Sequence, residues 1–361
     1  MIQKTGVLLV NLGTPDSPNP RDVYRYLIQF LTDERVVDIP WFKRQCLVRG
    51  LIVPRRYRDS ARSYAEIWKE TGSPLLYYGQ RVEQLLQEKL GDGYQVVLAM
   101  RYQNPSIESG LNALKECQDL VVLPLFPQYA SASTGSVHQE VMRLISKWPI
   151  IPQLHFINSY PQETKMIETF CLNASKYPLD EYDHILLSFH GLPERQLIKA
   201  DRHQYCLKSS SCCHSLNEKN AFCYAAQCFA TAKAIREKLD ISQDMATVCF
   251  QSRLGKEPWI QPFTTDILKQ LAQQGKKKVL VFCPSFVADC LETTYEILVE
   301  NCEEFLQLGG ERLDLVESLN DHPLWIESLA DMVRKDRDQE DIKDADVACV
   351  KHSNAGGVPC F

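Results

Sequence analysis

Leu186-Leu187-Ser188-Phe189-His190-Gly191-Leu192-Pro193 is the stretch on which the reading of this chain turns. The apolar run from Ile185 to Phe189 has β-type composition. It ends in a histidine, and Gly191 and Pro193 then stop it. A strand that ends this way delivers its last side chain to the carboxyl edge of a sheet, where ligands bind in open α/β sheets. Histidine is also the side chain that takes up and releases protons near neutral pH. A single histidine in such a run is ordinarily a core residue hydrogen-bonded within the sheet. His190 is set apart by what accompanies it in the rest of the chain.

Working outward, eight short β-type runs emerge. Residues 6–11, 94–99, 120–124 and 150–156 form one set, and residues 184–189, 246–251, 278–282 and 313–317 form another. Helix-length stretches lie between most of them, among them 106–117, 161–175 and 262–274. Strands alternating with helices imply parallel sheets with both faces covered. The fold expected is therefore α/β: two similar Rossmann-like domains, each with a four-stranded parallel sheet flanked by helices. The divisions expected are 1–160, 161–322 and 323–361. The last comprises a helix over 323–335 packing back on the first domain, a charged, solvated stretch over 336–346 and a loose tail over 348–361.

Composition narrows the function. At 361 residues, with 45% hydrophobic and 24% charged side chains, the chain suits two soluble domains. A net charge of −6 carries no nucleic-acid signature. No apolar run is long enough to span a bilayer, and residues 1–10 run straight into a strand without the layout of a signal peptide. A cytoplasmic location follows as an expectation. In a reducing compartment fourteen cysteines do not form a disulfide framework, so a cluster among them points to metal. Strand one ends in Asn11-Leu12-Gly13-Thr14-Pro15, a tight turn without a Gly-x-Gly-x-x-Gly pattern, and no phosphate-binding Gly-x-x-x-x-Gly-Lys-[Ser/Thr] occurs. Strand three runs into Pro127-Gln128-Tyr129 and then Ser133-Thr134-Gly135-Ser136, small hydroxyls that also serve as helix caps.

Two further stretches bear on the ligand. Around residues 38–58, Trp41, Phe42, Leu47, Val48, Leu51, Ile52 and Val53 interleave with Lys43, Arg44, Arg49, Arg55, Arg56 and Arg58. Such a lip can rest on an anionic membrane surface, cover a pocket for a flat apolar ligand with acid groups, or be an ordinary amphipathic helix. After the seventh strand, Asp289, Glu292 and Glu296 stand at i, i+3 and i+7, which on an α-helix places three carboxylates on one face. Helix-dipole capping accounts for Asp289 well and for Glu296 hardly at all. Carboxylate oxygens are ready ligands for divalent cations. A proton acceptor, His190, facing a row of anions is what metal insertion into a porphyrin requires. The macrocycle loses two pyrrole protons as it gains the metal, and the pocket must bend it.

The motifs together resemble the ferrochelatase family. They are Asn11-Leu12-Gly13-Thr14-Pro15, Gly72-Ser73-Pro74, Pro127-Gln128-Tyr129, Ser188-Phe189-His190-Gly191-Leu192-Pro193, Phe250-Gln251-Ser252-Arg253, Pro258-Trp259 and Asp289-Cys290-Leu291-Glu292-Thr293. They stand in family order over about residues 5–330. The resemblance implies a chelatase-like fold and a lyase that inserts ferrous iron into protoporphyrin IX, the last step of haem synthesis. It implies that His190 takes pyrrole protons or receives the metal, with Glu292 its partner across the ring and Asp289 and Glu296 behind. Trp259, Phe286, Tyr129 and Leu12 would line the porphyrin pocket, and Arg101 and Ser73 would meet the propionates. Some family members have Met or Tyr at the position of Leu12; leucine cannot ligate iron.

Cys206, Cys212, Cys213, Cys223 and Cys228 form an insert over 203–228. Some bacterial ferrochelatases resemble this chain in such an internal segment and carry a [2Fe-2S] cluster. The expected ligands are Cys206, Cys213, Cys223 and Cys228, with structural zinc as the alternative. The animal C-terminal cysteine pattern is not matched, since Ser131 stands in one ligand position and Cys349 and Cys360 are too few. Rival readings are a coproporphyrin or cobalt chelatase of the same fold, and a porphyrin or haem carrier without catalysis. Peripheral contact with the inner membrane and a homodimer stay open at this point.

Overall fold

The computed structural model describes residues 4–335 apart from Ser210 and Lys256. The stretches 336–346 and 348–361 lie outside the described residues. The first half comprises β1 (Thr5–Gly13), α1 (Pro20–Leu31), α2 (Trp41–Leu47), α3 (Val53–Ile67), α4 (Pro74–Leu90), β2 (Tyr94–Tyr102), α5 (Ile107–Ala113), β3 (Asp119–Pro124), α6 (Ser136–Ile145) and β4 (Gln153–Phe156). A π-helical turn, Val48–Ile52, joins α2 to α3. The second half comprises α7 (Thr164–Ala174), β5 (His184–His190), α8 (Glu194–Ala200), α9 (Tyr224–Lys238), β6 (Ala246–Gln251), α10 (Thr264–Gln273), β7 (Lys278–Phe282), a π-helix (Leu291–Asn301) running into α11 (Cys302–Gln307), and β8 (Arg312–Leu315). A last helix, α12, spans residues 323–335.

The two sheets have the orders β2-β1-β3-β4 and β6-β5-β7-β8, with every neighbouring pair parallel. The expected eight strands and two sets of four are present, and both sets share one topology. A smaller detail also recurs. Beyond each edge strand the chain folds back on itself, with the Met100 N–H donating to the Pro105 carbonyl (2.6 Å) and the Phe250 N–H to the Pro262 carbonyl (2.9 Å). β1 and β5 occupy equivalent second positions, flanked on either side by strands reached through crossovers of opposite direction. Their carboxyl ends are the switch points at which α/β sheets open a crevice.

The central strands are buried on both faces, and successive side chains alternate between two cores as the pleat requires. In β1, Leu8 and Val10 pack with Ile107, Val137 and Val141 on one face. Val7 and Leu9 turn to a core that also holds Phe170, Phe189, Phe282 and Trp325. That core contains residues from both sheets and from α12, whose Trp325, Ile326, Leu329 and Val333 are buried in it. The helix is tied to α4 by Arg334 Nη2 donating to the Lys89 carbonyl (3.0 Å), and to α7 by Lys165, which meets Glu327 (2.5 Å) and Asp331 (2.6 Å).

Boundaries differ from expectation where backbone chemistry intervenes. β4 begins at Gln153, not at residue 150, because Pro152 has no N–H to give a ladder. Ile150 and Ile151 accordingly stand 83% and 61% exposed. β8 stops at Leu315, and α5 ends at Ala113 with turns over 114–116.

Candidate active site

The site is built where β7 stops short of β5. The two pair only as far as Leu187 with Phe282, whereas β6 keeps register with β5 through His190 and Gln251. Beyond that pair, the Gly191 N–H donates to the Gln251 carbonyl (2.8 Å). The peptide groups of His190 therefore face the side that β7 has left. Its N–H donates to Ser285 Oγ (3.1 Å), and its carbonyl accepts from Tyr224 Oη (2.8 Å). The imidazole is half-buried, with Nδ1 2.7 Å from the Gly191 carbonyl oxygen. A carbonyl only accepts, so this contact puts the ring proton on Nδ1 and leaves the Nε2 lone pair free to accept one. Phe286 lies 6.3 Å from the ring. Trp259 packs against Gly191, where a Cβ would come within 3.1 Å of the indole and 2.8 Å of the Gln251 carbonyl oxygen. The buried Trp259 Nε1 has no hydrogen-bond partner among the described residues.

The acidic segment is not the α-helix that its spacing implied. Cys290 caps a π-helix that begins at Leu291, so Asp289 stands in the preceding loop. Its carboxylate accepts from the Ser318 N–H (3.1 Å) and Asn320 Nδ2 (2.8 Å), which ties that loop to the segment after β8. The π-helix has a wider turn, closed by i→i+5 bonds. Residues four apart then stack, and the acidic row becomes Glu292, Glu296 and Glu300. Burial raises the pKa of Glu296 and of Glu300, and the charge of Glu292 adds to the rise at Glu296 as that of Glu296 does at Glu300. Sequence spacing also places Glu300 on this face, at i+4 from Glu296, and the expected row ended too early, at Glu296. The largest influence on Glu296 is burial, which raises its pKa. Hydrogen bonding from Ser252 acts the other way, as would positive charge on His190 once the ring has taken up a proton. Its oxygens accept from the Ser252 N–H (2.8 Å), Ser252 Oγ (2.6 Å) and Gln251 Nε2 (3.3 Å).

The first half closes over this helix. Tyr26 of α1, Tyr64 of α3 and Tyr102 of β2 form a buried aromatic cluster against which Leu12, Leu291 and Tyr295 pack. Burial raises the phenol pKa of Tyr26 and Tyr64, and the charge of Glu292 raises it further, so both stay protonated beside that carboxylate. The lip ahead of α3 divides by direction. Trp41, Phe42 and Leu51 are 66%, 71% and 40% exposed, and Lys43, Arg49, Arg55, Arg56 and Arg58 are exposed with them. Arg44 instead turns inward and donates to the Ile39 carbonyl (2.8 Å).

Of the other expected pocket residues, Ser73 is buried and accepts from Thr14 Oγ1 (2.9 Å). Arg101 donates to Asp33 Oδ2 (2.6 Å) and Ser136 Oγ (2.7 Å), so its guanidinium is committed within the first half. Tyr129 meets the cysteine insert: its ring lies edge-on to Phe222 at 6.0 Å, and its N–H donates to Gln227 Oε1 (2.7 Å). The structure thus gathers His190, Trp259, Phe286, Glu292 and Glu296 around the crevice and brings Leu12 to its aromatic wall. Asp289 and Arg101 are engaged elsewhere.

In the insert, Cys206, Cys213 and Cys223 adjoin, and Cys212 Sγ lies 3.5 Å from Cys213 Sγ. Cys223 is the N-cap residue of α9. Thiol hydrogen bonds from Cys206 and Cys213, aided by the N–H groups of Ala226 and Ala225, hold its pKa well below the ordinary thiol range. The same hydrogen bonding pushes Cys206 and Cys213 up. Cys228 is wholly buried inside α9 and turned to Tyr224. A cavity of about 90 Å³ beside Cys206, Cys212 and Cys223 is also lined by Asp201 and Phe222. Among the described residues, no three His, Cys, Asp or Glu side chains are arranged to hold a metal ion.

A family model described as ferrochelatase matches residues 4–337. A protein named ferrochelatase from Legionella pneumophila (strain Lens) is 43% identical over 332 residues, covering 92% of this chain and 99% of that one. Another of the same name from Coxiella burnetii (strain Dugway 5J108-111) is 42% identical over 336 residues, covering 92% and 94%. Among solved structures, SirB from Bacillus subtilis with Fe3+ is similar in fold, with a TM-score of 0.50 at 13% identity over 92% of this chain and 95% of that one.

The Arg101–Asp33 pair yields a test. Their side chains are 17% and 5% exposed, and breaking a buried pair on one side strands the other charge. Arg101→Ala should lower unfolding free energy in denaturant by about 3 kcal/mol while leaving the KM for porphyrin within about twofold. Unchanged stability with a raised KM would instead make Arg101 a porphyrin contact.

Proposed function

The chain belongs to the ferrochelatase family, and from that membership we infer that it is a lyase inserting ferrous iron into protoporphyrin IX to give protohaem. The observation that carries the site assignment is His190, whose Nδ1 proton is engaged by the Gly191 carbonyl so that Nε2 is left as a proton acceptor beside the acidic helix. Metal insertion forms bonds from iron to the four ring nitrogens and releases two protons. Each pyrrole N–H breaks heterolytically, and nitrogen keeps the electron pair that then binds the metal. In this reading His190 takes up pyrrole protons at Nε2. Glu292 is its partner across the ring in this reading, and Glu296 and Glu300 lead from there toward the exposed end of the helix, a row suited to divalent iron moving inward or protons moving out. Trp259, Phe286 and Leu12 supply apolar walls for the macrocycle. The exposed Arg55, Arg56 and Arg58 of the lip bring positive charge for propionates. A carrier would need the aromatic walls but no base beside carboxylates.

Two subsidiary proposals concern the periphery. Trp41, Phe42 and Leu51 among exposed arginines favour peripheral contact with an anionic membrane. No helix among the described residues is long and apolar enough to cross one. For the insert, the soft thiol donors Cys206, Cys213 and Cys223 suit a thiolate-held [2Fe-2S] cluster, with Cys212 nearer to them than the core-facing Cys228. What supports this reading is the donor set, and the loop would have to close around the iron. Such a cluster would supply one-electron redox chemistry and would tie the insert to α9.

Three measurements test these readings. His190→Ala should lower turnover by about 10² or more while porphyrin fluorescence still reports binding, and Glu292→Gln should lower it roughly tenfold. Near-normal rates in folded variants would remove those assignments. Trp41→Ser with Phe42→Ser should release the protein from vesicles of anionic phospholipid; undiminished sedimentation with the vesicles would reduce the lip to a pocket wall. Anaerobically purified protein should contain iron and acid-labile sulfide in equal amounts, about two of each per chain, and lose both on Cys223→Ser. Zinc without sulfide would replace the cluster with a structural zinc site, and a metal-free protein would remove both.

A further inference from the structure

The carbonyl of His190 is held by a side chain where a strand would ordinarily hold it. On the β6 flank the ladder continues, with the Gly191 N–H on the Gln251 carbonyl. On the other flank β7 has ended at the level of Leu187, three residues earlier. Tyr224 Oη fills the gap on the His190 carbonyl (2.8 Å), and Ser285 Oγ accepts the N–H of the same residue (3.1 Å). Tyr224 is 7% exposed and is the first residue of α9. The peptide between His190 and Gly191 is thus pinned at both ends, its oxygen by Tyr224 and its N–H by Gln251.

That pinning matters because the next residue is glycine. Gly191 lacks the Cβ that restricts other residues, yet its carbonyl is the group that accepts the hydrogen bond from Nδ1–H and so aims Nε2. Without the phenol hydroxyl, the His190 carbonyl would lose the partner that replaces a β7 neighbour, and the oxygen of this peptide would no longer be held on the β7 side. We propose that Tyr224 is a positioning residue for His190, holding the His190–Gly191 peptide so that the imidazole keeps its proton-accepting nitrogen turned to the crevice. The proposal rests on the reading of His190 as the proton acceptor. The turn that carries Tyr224 also carries Cys223, so the insert and the site meet at adjacent residues.

Tyr224→Phe keeps the ring and removes only the hydroxyl. In ferrous iron insertion with the full chain, kcat should fall about tenfold, with the KM for protoporphyrin and for iron within about twofold of the parent. A packing role would spread the loss over binding and stability. In a His190→Ala background the same replacement should change the residual turnover less than twofold, because the group being positioned is gone. An unchanged kcat, a raised KM with kcat retained, or a full tenfold loss in the His190→Ala background would each overturn the proposal. If Tyr224→Phe does not fold, Ser285→Ala removes the hydroxyl that meets both the His190 N–H and the Tyr224 hydroxyl and should show the same kcat-only loss; an unchanged kcat there would likewise overturn it. The two levels separate cleanly. His190→Ala with near-normal turnover removes the reading of His190 itself, whereas an inactive His190→Ala beside a fully active Tyr224→Phe removes only the role of Tyr224.

Discussion

The hydrogen bond from His190 Nδ1 to the Gly191 carbonyl depends on an uneven sheet edge. A parallel ladder satisfies backbone groups only while both neighbours continue. Here β6 continues beside β5 and β7 does not. The vacated side is where a ligand can approach, and also where the backbone needs other partners. Ser285 and Tyr224 supply them from segments that follow β7 and the cysteine insert. The carboxyl end of β5 is thereby open on one flank and held on both.

The acidic wall obeys a second constraint. Three carboxylates along one line repel one another, and burial of Glu296 adds to the penalty. The π-helix spaces them four residues apart on a wide turn, and Ser252 and Gln251 hydrogen-bond to the middle one. A π-helix of this length is unusual and is a common mark of a functional segment. Across from it, Tyr26 and Tyr64 stay protonated and provide an apolar face with neutral hydroxyls near Glu292. The first half thus forms wall and cover, while His190 and the acidic row stand on the second.

The two halves share a topology but have diverged at their carboxyl edges. β1 ends in the Asn11–Pro15 turn, where the Leu12 N–H donates to Asn11 Oδ1 (2.8 Å), and β5 ends in the clamped histidine. Both central strands reach one common core, to which α12 adds Trp325 and Leu329. Motion of one half against the other would disturb that core, so access is more readily varied at the lip, where Trp41 and Phe42 lie outside it.

Eight strands, their grouping in fours and the placement of His190 were legible from sequence, because apolar β-type runs and Gly/Pro stops are local properties of the chain. The family was legible too, since its motifs are short and in order. What spacing could not show was where the acidic helix begins. It starts at Leu291, so Asp289 falls in the loop before it and is engaged by Ser318 and Asn320, while the row runs on through Glu296 to Glu300. Nor could composition show that Arg101 is engaged by Asp33, 68 residues away. Likewise, Cys228 belongs to the core side of α9 although it is close in sequence to Cys223. The sequence by itself determined the elements and the kind of chemistry, through local periodicity and residue type. The tertiary structure alone decided which charges are free, which thiols meet and which backbone groups need a substitute partner, because those outcomes depend on burial and on contacts between residues far apart in the chain.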